Sequence, residues 1–387
     1  MAYYIGMNRK ARRAYGFDEV ALVPGQCTIN PEEVDIGFQV GDVRLEVPII
    51  ASAMDGVVDT RFAVEMSRLG GMAVLNLEGV QTRYEDPSSV LDEIAGSDPE
   101  TATRLIQKLY VPPVKTELIG TRIEEIKKAG GIAAVSATPQ KAEEYIGPAQ
   151  EAGVDIFVVQ STVATVRHIS TQYKTLDLAK FCREAKVPVI VGNTVTYEMA
   201  LEVMAAGPAG LLVGIGPGAA CTTRGVLGIG VPQVTATVDS AAARDMFHKQ
   251  SGRYIPIITD GGMSTGGDIC KAFASGADAV MIGSAFAKAS EAPGRGYHWG
   301  MATPHSNLPR GTRVRVGITG SLEQILLGPA NLDDGTQNLV GALKLCMGSV
   351  GARNIKELQM TELIIAPAIK TEGKLFQRTQ HIGMGKS

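Results

Sequence analysis

Short apolar segments recur along this chain and alternate with amphipathic stretches of helical periodicity. Eight of these segments are five or six residues long and rich in aliphatic side chains, which is typical of buried parallel strands. Eight consecutive strand–helix units predict an α/β protein with a closed (β/α)8 TIM barrel, a single domain over residues 1–387. A doubly wound sheet is the alternative, but it rarely contains so many consecutive units. The predicted strands are 48–52, 72–76, 132–136, 155–159, 188–192, 209–214, 256–260 and 279–283.

Two regions interrupt the alternation. Residues 81–130 contain several prolines, and we expect an irregular segment with short helices there. Residues 293–320 follow the last predicted strand and are rich in Gly, Pro and Arg. We expect this stretch to be an active-site flap, because functional lids are the commoner reason for long loops in a barrel. The basic tail within 370–387 is predicted to be a solvated terminus.

The composition supports an aliphatic core and excludes several classes of protein. Apolar residues make up 45% of the chain and aromatic residues only 5%, and the 45 glycines suit many tight strand–helix turns. The net charge of -3 gives no electrostatic footprint for a nucleic-acid partner. The basic N-terminal stretch has no apolar signal-peptide core, and the sequence has no run of about 18 apolar residues. We therefore expect a cytoplasmic protein with no membrane association.

The five cysteines are scattered without CxxC spacing, which excludes a zinc ribbon and a disulfide scaffold. One of them, Cys221, ends a glycine-rich loop that follows the predicted strand 209–214. Gly214, Gly216 and Gly218 recur at every second position of this loop. Glycines in such a pattern allow positive φ and close approach of the backbone to a ligand or ion. The pattern predicts a binding loop at the end of a strand.

The residues after Cys221 favour a reactive thiol. Thr222 and Thr223 supply hydroxyl groups and Arg224 supplies a positive charge. Only the thiolate is a good nucleophile, and loop amides together with a nearby cation stabilise it, so we predict that Cys221 is a catalytic nucleophile. The alternative is a small buried cysteine after a glycine turn, which is the usual fate of a lone cysteine.

Two further turns predict an anion-binding site. Asp260-Gly261-Gly262 follows the seventh predicted strand, and Gly283-Ser284 follows the eighth. In a barrel, phosphate groups bind on the loops after these two strands, where glycine amides and a helix N-terminus provide the contacts. The carboxylate of Asp260 suits ribose hydroxyls better than phosphate. The alternative is that the glycines only close tight turns.

Three stretches of the sequence resemble one known family. They are GIGPGAACTTR at 214–224, GIGVPQ at 228–233 and ITDGGMSTGGDICKAFASGADAVMIGSAFA at 258–287. They are similar to the inosine monophosphate (IMP) dehydrogenase and guanosine monophosphate (GMP) reductase family, and the resemblance extends over almost the whole chain. It implies NAD-dependent oxidation of IMP to xanthosine monophosphate through a covalent thioimidate on Cys221, in guanine nucleotide biosynthesis. It also implies a homo-oligomer, either a tetramer or an octamer.

Full-length dehydrogenases of this family carry a regulatory pair of CBS modules inserted near residues 81–130. This segment is too short to hold such a pair, so we expect that the regulatory insert is absent.

The resemblance also implies roles for individual residues. The implied catalytic residues are Cys221, Thr223 and Arg310. The implied substrate contacts are Asp260 at the ribose and Ser52, Met54, Asn193, Gly218, Ala219, Gly261, Gly262, Gly283, Ser284, His298, Gly300 and Met301 around the rest of the nucleotide. Contacts to NAD would come from Gln160, Ser161, Gly214 and Gly216. A monovalent cation such as K+ could be held by carbonyl groups of Gly216, Gly218 and Cys221 with Glu372 from the C-terminal segment of a neighbouring subunit.

Several positions depart from the family pattern. Ala219 replaces a serine that contacts phosphate, and Gln160 replaces an aspartate that faces the nicotinamide ribose. A neutral amide repels a 2′-phosphate less than a carboxylate does, so the choice between NAD and NADP stays open. Residues 298–301 are His-Trp-Gly-Met where the family has Tyr-Arg-Gly-Met. We expect Trp299 to be a buried anchor of this loop.

The rest of the flap departs further. It is short and lacks the Arg-Tyr pair that activates water in the dehydrogenases, and Arg310 lies where a Glu or Gln is expected. The hydrolytic step would then need other groups, and the candidates are Arg310, Arg313, His305 and Thr223, each of which could equally be an ordinary loop residue. Two alternatives to the dehydrogenase therefore stay open. They are a GMP reductase that uses NADPH and a purine-nucleotide-binding paralogue without turnover.

Overall fold

The computed structural model describes residues 2–300 and 311–383. Eight parallel strands form a closed barrel in which each strand pairs with its neighbours in chain order and the last pairs with the first. Each strand overlaps one of the eight predicted segments, so the predicted (β/α)8 barrel is confirmed. The strands are β1 (Ile49–Ala51), β2 (Met72–Asn76), β3 (Ala134–Ala137), β4 (Ile156–Gln160), β5 (Val189–Thr194), β6 (Gly210–Val213), β7 (Ile257–Asp260) and β8 (Ala279–Ile282).

All eight strands contribute side chains to one apolar cluster, which therefore fills the barrel interior. Strand β4 shows how the two-residue period of a strand divides its side chains between two layers. Ile156 and Val158 belong to the interior cluster, whereas Phe157 and Val159 belong to the layer between strands and helices. The interior is a packed aliphatic core, as the low aromatic content predicts.

A small hairpin closes the N-terminal end of the barrel. Its strands, Phe38–Val40 and Val43–Leu45, contribute three side chains to the interior cluster. Gly41 at the turn has φ +55°, and a Cβ there would lie 2.2 Å from Cγ of Pro188, just before β5 begins. The hairpin thus fits tightly against the starts of the strands, and only the carboxyl ends are left open.

Helices surround the barrel. Side-chain caps define several of their first residues; for example, Asp59 accepts the backbone N–H of Phe62 at the start of the first helix. The helices are α1 (Thr60–Arg68), α2 (Pro87–Gly96), α3 (Pro99–Leu109), α4 (Thr116–Lys128), α5 (Ala142–Glu151), α6 (Leu178–Glu184), α7 (Tyr197–Ala205), α8 (Thr223–Leu227), α9 (Gln233–Ser251), α10 (Gly266–Ala274), α11 (Leu322–Leu326), α12 (Leu339–Val350), α13 (Ile355–Leu358) and α14 (Leu375–Thr379). Within the described residues, none of them combines the length and the apolar character that crossing a membrane requires.

Six further strands in the described residues form three small two-stranded sheets outside the barrel, besides the hairpin that closes it. The N-terminal hairpin pairs Ala2–Gly6 with Arg9–Arg12, and Val20–Leu22 pairs with Leu363–Ile365. After the barrel, β9 (Tyr297–Trp299) pairs with β10 (Arg313–Arg315) in an antiparallel hairpin. This last hairpin occupies the described part of the predicted flap at 293–320.

The expectation of an irregular segment at 81–130 needs correction. Three helices, α2 to α4, account for most of it. Two of the prolines behind this expectation, Pro87 and Pro99, each lie in the first turn of a helix, directly after Asp86 or Asp98. Proline is well suited to this position because its fixed φ is helical and its missing N–H has no intrahelical partner there.

A buried ion-pair network joins the start of β8 to helices α9 and α13. The carboxylate of Asp278 accepts hydrogen bonds from Arg244 at 2.9 Å, Tyr254 at 2.7 Å and Gln359 at 3.0 Å. The side chains of Arg244 and Asp278 are only 4% and 6% exposed. Removing one member of such a pair leaves the other charge buried without compensation.

We expect Asp278→Ala to lower the free energy of unfolding by about 3–5 kcal/mol, because Arg244 would stay buried without its main partner. The control is Asp245→Ala, because the side chain of Asp245 pairs with the same arginine but is 66% exposed. Its loss should cost about 1 kcal/mol or less. Urea unfolding followed by circular dichroism measures both, and equal losses in the two variants would contradict the assignment.

Candidate active site

A pocket of about 230 Å3 opens at the carboxyl ends of the barrel strands. Its wall is formed by the ends of β1 and β4 to β8 with their following loops, and by the β9–β10 hairpin. Met301 and Arg310 lie outside the described residues, and Glu372 lies in an exposed turn away from the wall. The predicted site residues on the wall are Ser52, Met54, Gln160, Ser161, Asn193, Gly214, Gly216, Gly218, Ala219, Cys221, Thr223, Asp260, Gly261, Gly262, Gly283, Ser284, His298 and Gly300.

Cys221 ends the loop that follows β6. Its backbone N–H donates to the carbonyl of Gly218 at 3.0 Å, which closes a tight turn. The Sγ atom donates to Oγ1 of Thr223 at 3.2 Å. Cys221 is exposed and lines the pocket, whereas Thr223 is buried. The Thr223 hydroxyl therefore fixes the position of the sulfur, and it can donate a hydrogen bond to the thiolate form.

Arg224 braces this loop. Its guanidinium donates to the carbonyl groups of Ile215 at 3.2 Å and Val231 at 2.7 Å, and so joins the start of the loop to the segment just before α9. Burial lowers the pKa of Arg224, and the nearby charge of Cys221 opposes the shift. The cation that the sequence suggests as an activator of the thiol is therefore also the structural support of the loop.

Gln233 ties the same loop to the next strand. Its Nε2 donates to the carbonyl of Val213 at 2.7 Å, where β6 ends, and to the carbonyl of Asp260 at 3.0 Å, where β7 ends. The side chain is buried. A Cβ at Gly214 would lie 2.4 Å from the Asp260 carbonyl, so only glycine allows this approach.

The carboxylate of Asp260 lies between two side-chain amides. Its Oδ2 accepts from Nδ2 of Asn193 at 2.8 Å and from Nε2 of Gln160 at 3.1 Å. Burial raises the pKa of Asp260 to about 6, although both amide hydrogen bonds oppose the shift. Asp260 is therefore largely ionised at neutral pH and becomes protonated in mild acid.

Gln160, the residue that departs from the family pattern, has a definite place in this cluster. Its amide also donates to Oδ1 of Asn193 at 3.3 Å. A carboxylate at this position would lie beside that of Asp260, and two neighbouring carboxylates disfavour each other's ionised forms. The neutral amide thus helps to keep Asp260 available as an acceptor.

The turn after β7 packs against the Cys221 loop. Gly261 and Gly262 both have φ +81°, a conformation that favours glycine. A Cβ on these residues would lie 3.2 Å and 3.0 Å from side-chain atoms of Pro217. In the part of the wall that the structure describes there is no lysine or arginine. An anion bound here would depend on backbone amides and hydroxyl groups.

Ser284 and His298 form a polar pair on the wall. Oγ of Ser284 lies 3.3 Å from Nε2 of His298. Burial lowers the pKa of His298 to about 4, so the imidazole is neutral at pH 7. Its Nδ1 is buried and has no hydrogen-bond partner among the described residues. A neutral ring in this position can donate one hydrogen bond to a ligand without adding charge.

A second cavity, of about 320 Å3, adjoins the first. The two share Ser161 and Thr162 on the loop after β4. The wall of the second cavity includes His168 and Tyr173, whose rings are stacked with centroids 5.8 Å apart. The site therefore has room for one planar group in the first pocket and for a second planar group in the adjoining cavity.

Sequence reasoning missed some residues of the wall, and it left one candidate open that the structure engages elsewhere. Most of the missed positions lie next to predicted ones in the sequence. Their membership of the same loops was the signal that could have identified them. Arg313, one of the candidates for the hydrolytic step, lies away from the sulfur and matches the alternative of an ordinary structural residue. Its guanidinium donates to the carbonyls of Ala95 at 2.9 Å and Ser97 at 2.7 Å, on the α2–α3 turn. The missed wall residues are Ala53, Thr162, Pro217, Ala220, Thr222, Met263 and Gly311.

The profile of the IMP dehydrogenase / GMP reductase domain matches residues 14–374, nearly the whole chain. The chain belongs to the IMP dehydrogenase / GMP reductase family. Within this family, a protein of Mycolicibacterium smegmatis described as an uncharacterized oxidoreductase is 39% identical over 370 residues, which cover 93% of this chain and 99% of that protein.

Two further relatives place the chain in the same family. An inosine-5'-monophosphate dehydrogenase of Cryptosporidium parvum is 31% identical over 385 residues, which cover 88% of this chain and 89% of that protein. The crystal structure of an IMP dehydrogenase/GMP reductase-like protein from Corynebacterium glutamicum superposes with a TM-score of 0.89 at 35% identity, over 94% of this chain and 97% of that one. The chain is thus an oxidoreductase of the IMP dehydrogenase / GMP reductase family with the family's barrel.

The state of Asp260 should govern nucleotide affinity in mild acid. An ionised carboxylate accepts hydrogen bonds from ribose hydroxyls, and protonation removes one acceptor site. The pKa of about 6 in the free protein places the loss below pH 6. We expect the affinity for IMP, relative to that of Asp260→Asn, to fall by up to about tenfold per pH unit below that point.

Calorimetric titration of both proteins between pH 5 and pH 8 measures this ratio. The nucleotide phosphate titrates in the same range, but it does so identically for both proteins and cancels in the ratio. A ratio that stays constant across the whole range would contradict the assignment of Asp260.

Proposed function

We propose that this protein is an NAD-dependent IMP dehydrogenase that oxidises inosine 5′-monophosphate to xanthosine 5′-monophosphate through a covalent intermediate on Cys221. One observation carries the proposal. A single pocket contains an exposed thiol on a braced loop, a carboxylate between two amides, and glycine turns that suit an anion. A thiol nucleophile, a ribose acceptor and a phosphate site are the three elements that covalent chemistry on a purine nucleotide requires.

The nucleotide would lie across the mouth of the barrel. Its ribose hydroxyls would donate to Asp260, and its phosphate would accept from the turns at 261–262 and 283–284 with His298 nearby. The base would then face Cys221. Ala219 supplies no hydroxyl, so the phosphate depends more strongly on these backbone turns and on Ser284.

In the first chemical step, the Cys221 thiolate bonds to C2 of the purine ring while N3 takes up a proton. The C2–H bond then breaks with loss of hydride, and N3 releases its proton, which leaves a thioimidate. Covalent catalysis of this kind divides one difficult step into two easier ones. Thr223 holds the sulfur during both steps, since its hydroxyl lies 3.2 Å from Sγ.

NAD, when bound, accepts the hydride that leaves C2. The second cavity fits such a group, because it adjoins the reaction pocket at Ser161 and Thr162 and has stacked rings on its wall. Gln160, Gly214 and Gly216 lie on the wall of the first pocket, and Gln160 directly precedes the shared Ser161. The amide of Gln160 already binds Asp260 and Asn193, so its contribution to the cofactor would be limited.

In the last step, water adds across the C2=N3 bond, with oxygen on C2 and one proton on N3. The C2–S bond then breaks as the C2 carbonyl forms and its proton passes to solvent, which returns the thiolate and releases xanthosine 5′-monophosphate. Thr223 is the described residue closest to the sulfur among the candidates for assisting this step. Arg310 stays a prediction, because it lies outside the described residues. A monovalent cation also stays a prediction: among the described residues the Gly218 carbonyl accepts one hydrogen bond, from Cys221, which leaves it a lone pair for an ion.

Absorbance at 340 nm with paired substrates tests the proposal directly. A rise with NAD and IMP supports the dehydrogenase. A fall with NADPH and GMP instead identifies a GMP reductase, which the short flap without an Arg-Tyr pair favours. No change with either pair identifies a nucleotide-binding paralogue without turnover.

We expect Cys221→Ser to lower turnover by at least about a thousandfold, because an alcohol is a far weaker nucleophile than a thiolate at neutral pH. Binding of IMP should survive, since the ribose and phosphate contacts come from other loops. Steady-state kinetics and calorimetry measure the two effects. Cys182→Ser is the matched control and should keep full activity. Turnover within a few-fold of the parent in Cys221→Ser would contradict covalent catalysis.

We also propose a homo-oligomer, a tetramer or an octamer. Large apolar side chains are exposed at both ends of the chain: Tyr4 is 68% exposed, Ile5 69%, Leu375 69% and Phe376 75%. Exposed apolar patches mark association surfaces. Light scattering at micromolar concentration should show a tetramer or octamer, and Leu375→Ser combined with Phe376→Ser should weaken it. A monomeric parent protein would contradict the proposal.

A further inference from the structure

The β9–β10 hairpin supplies part of the pocket wall but rests on a segment outside the barrel. His298 and Gly300 reach the wall from β9 and its end, and Gly311 reaches it just before β10. Trp299, between the first two, points away into an apolar cluster with Ile94 of α2 and other side chains of residues 80–110. Each strand is only three residues long, and a two-stranded hairpin of this size is marginal by itself. Its position therefore depends on what holds it.

A chain of buried hydrogen bonds provides the first attachment. Nε1 of Trp299 donates to the hydroxyl of Tyr110 at 2.9 Å, and that hydroxyl donates to Oδ2 of Asp55. The same carboxylate oxygen accepts the backbone N–H of Val80 at 3.0 Å. Asp55 directly follows Met54, on the pocket wall after β1. The Tyr110 hydroxyl thus connects two sides of the pocket: it accepts a hydrogen bond from Trp299 of the hairpin and donates one to Asp55, after β1.

Arg313 provides the second attachment, on the other strand. Its Nη1 donates to Oγ of Ser97 at 3.1 Å, and its Nη2 donates to the Ser97 carbonyl at 2.7 Å. The guanidinium also lies over the ring of Tyr297, 4.3 Å from its centroid. Both strands of the hairpin are therefore fastened to α2, α3 and the turn between them.

We propose that Tyr110 and Arg313 are positioning residues for the nucleotide pocket: helices α2 and α3, in the segment too short for a regulatory insert, hold the β9–β10 hairpin so that His298 and Gly300 complete the wall. The inference rests on the proposed function only for the choice of IMP as the probe. When the attachment is weakened, the hairpin spends less time in the binding arrangement, and affinity falls in proportion to that fraction.

The single tryptophan of the chain makes the arrangement directly observable. Trp299 is 1% exposed, so its fluorescence reports whether the hairpin is docked. We expect Tyr110→Phe and Arg313→Ala to shift its emission to longer wavelength and to increase quenching by acrylamide. Both variants should bind IMP about fivefold more weakly, and saturating IMP should restore the parent emission. A purely structural defect would not be reversed by the nucleotide.

Two matched controls separate this role from a general effect on folding. Tyr84→Phe removes a tyrosine hydroxyl that donates to the Leu109 carbonyl at 2.9 Å, within the helical segment itself. Arg315→Ala removes an exposed arginine from the same strand as Arg313. Neither should change the emission or the affinity. Arg313→Lys keeps the charge with fewer directed donors and should give an intermediate effect; it also serves if Arg313→Ala does not fold.

Unchanged emission and unchanged affinity in Tyr110→Phe and Arg313→Ala would overturn the inference. So would a shifted emission that saturating IMP leaves in place. If the parent protein binds no IMP, the proposed function fails, and emission and quenching in the variants alone decide whether the two residues hold the hairpin.

Discussion

Closure of the barrel, by pairing of β8 with β1, is the constraint on which the rest of the molecule depends. A closed eight-stranded barrel has an interior filled by side chains, and here these are aliphatic. The interior cluster is apolar because burying polar groups there without partners is costly, and polar strand residues such as Gln160 and Asp260 lie at the carboxyl ends. The hairpin at 38–45 fills the N-terminal end. Reactive groups are thus confined to the loops at the carboxyl ends, and this is where thiol, carboxylate and glycine turns meet.

The features that could be predicted from the sequence are those with local signals. Each barrel strand is a short, mainly aliphatic run, so its existence follows from composition and spacing alone. The Cys221 loop and the turn at 260–262 are equally local, since every residue that defines them lies within a few positions. The barrel then brings these local features into one site, because the carboxyl ends of its parallel strands meet at one end however far apart the strands lie in the sequence.

The features that escaped prediction depend on contacts between distant residues. Nothing in the sequence near Gln160 shows that its amide meets Asp260, one hundred positions away. The same holds for Tyr110, which joins Asp55 to Trp299. The regularity of α2 and α3, in a segment expected to hold only short helices, was underestimated for a different reason: proline breaks a helix in its interior but favours it in the first turn, and only the position of the cap distinguishes the two cases.

Gln160 and His298, which both depart from the family pattern, affect how the pocket accommodates negative charge. A nucleotide brings a dianionic phosphate into a pocket whose described wall has no lysine or arginine, and Asp260 adds a further negative charge. An aspartate at position 160 would increase that charge, whereas the amide of Gln160 donates to Asp260 and adds none. Elsewhere on the pocket wall, the buried imidazole of His298 is neutral yet can donate a hydrogen bond. On the proposed function, the pocket would bind the phosphate through oriented dipoles, which stabilise an anion at short range and require that each wall be held firmly in place.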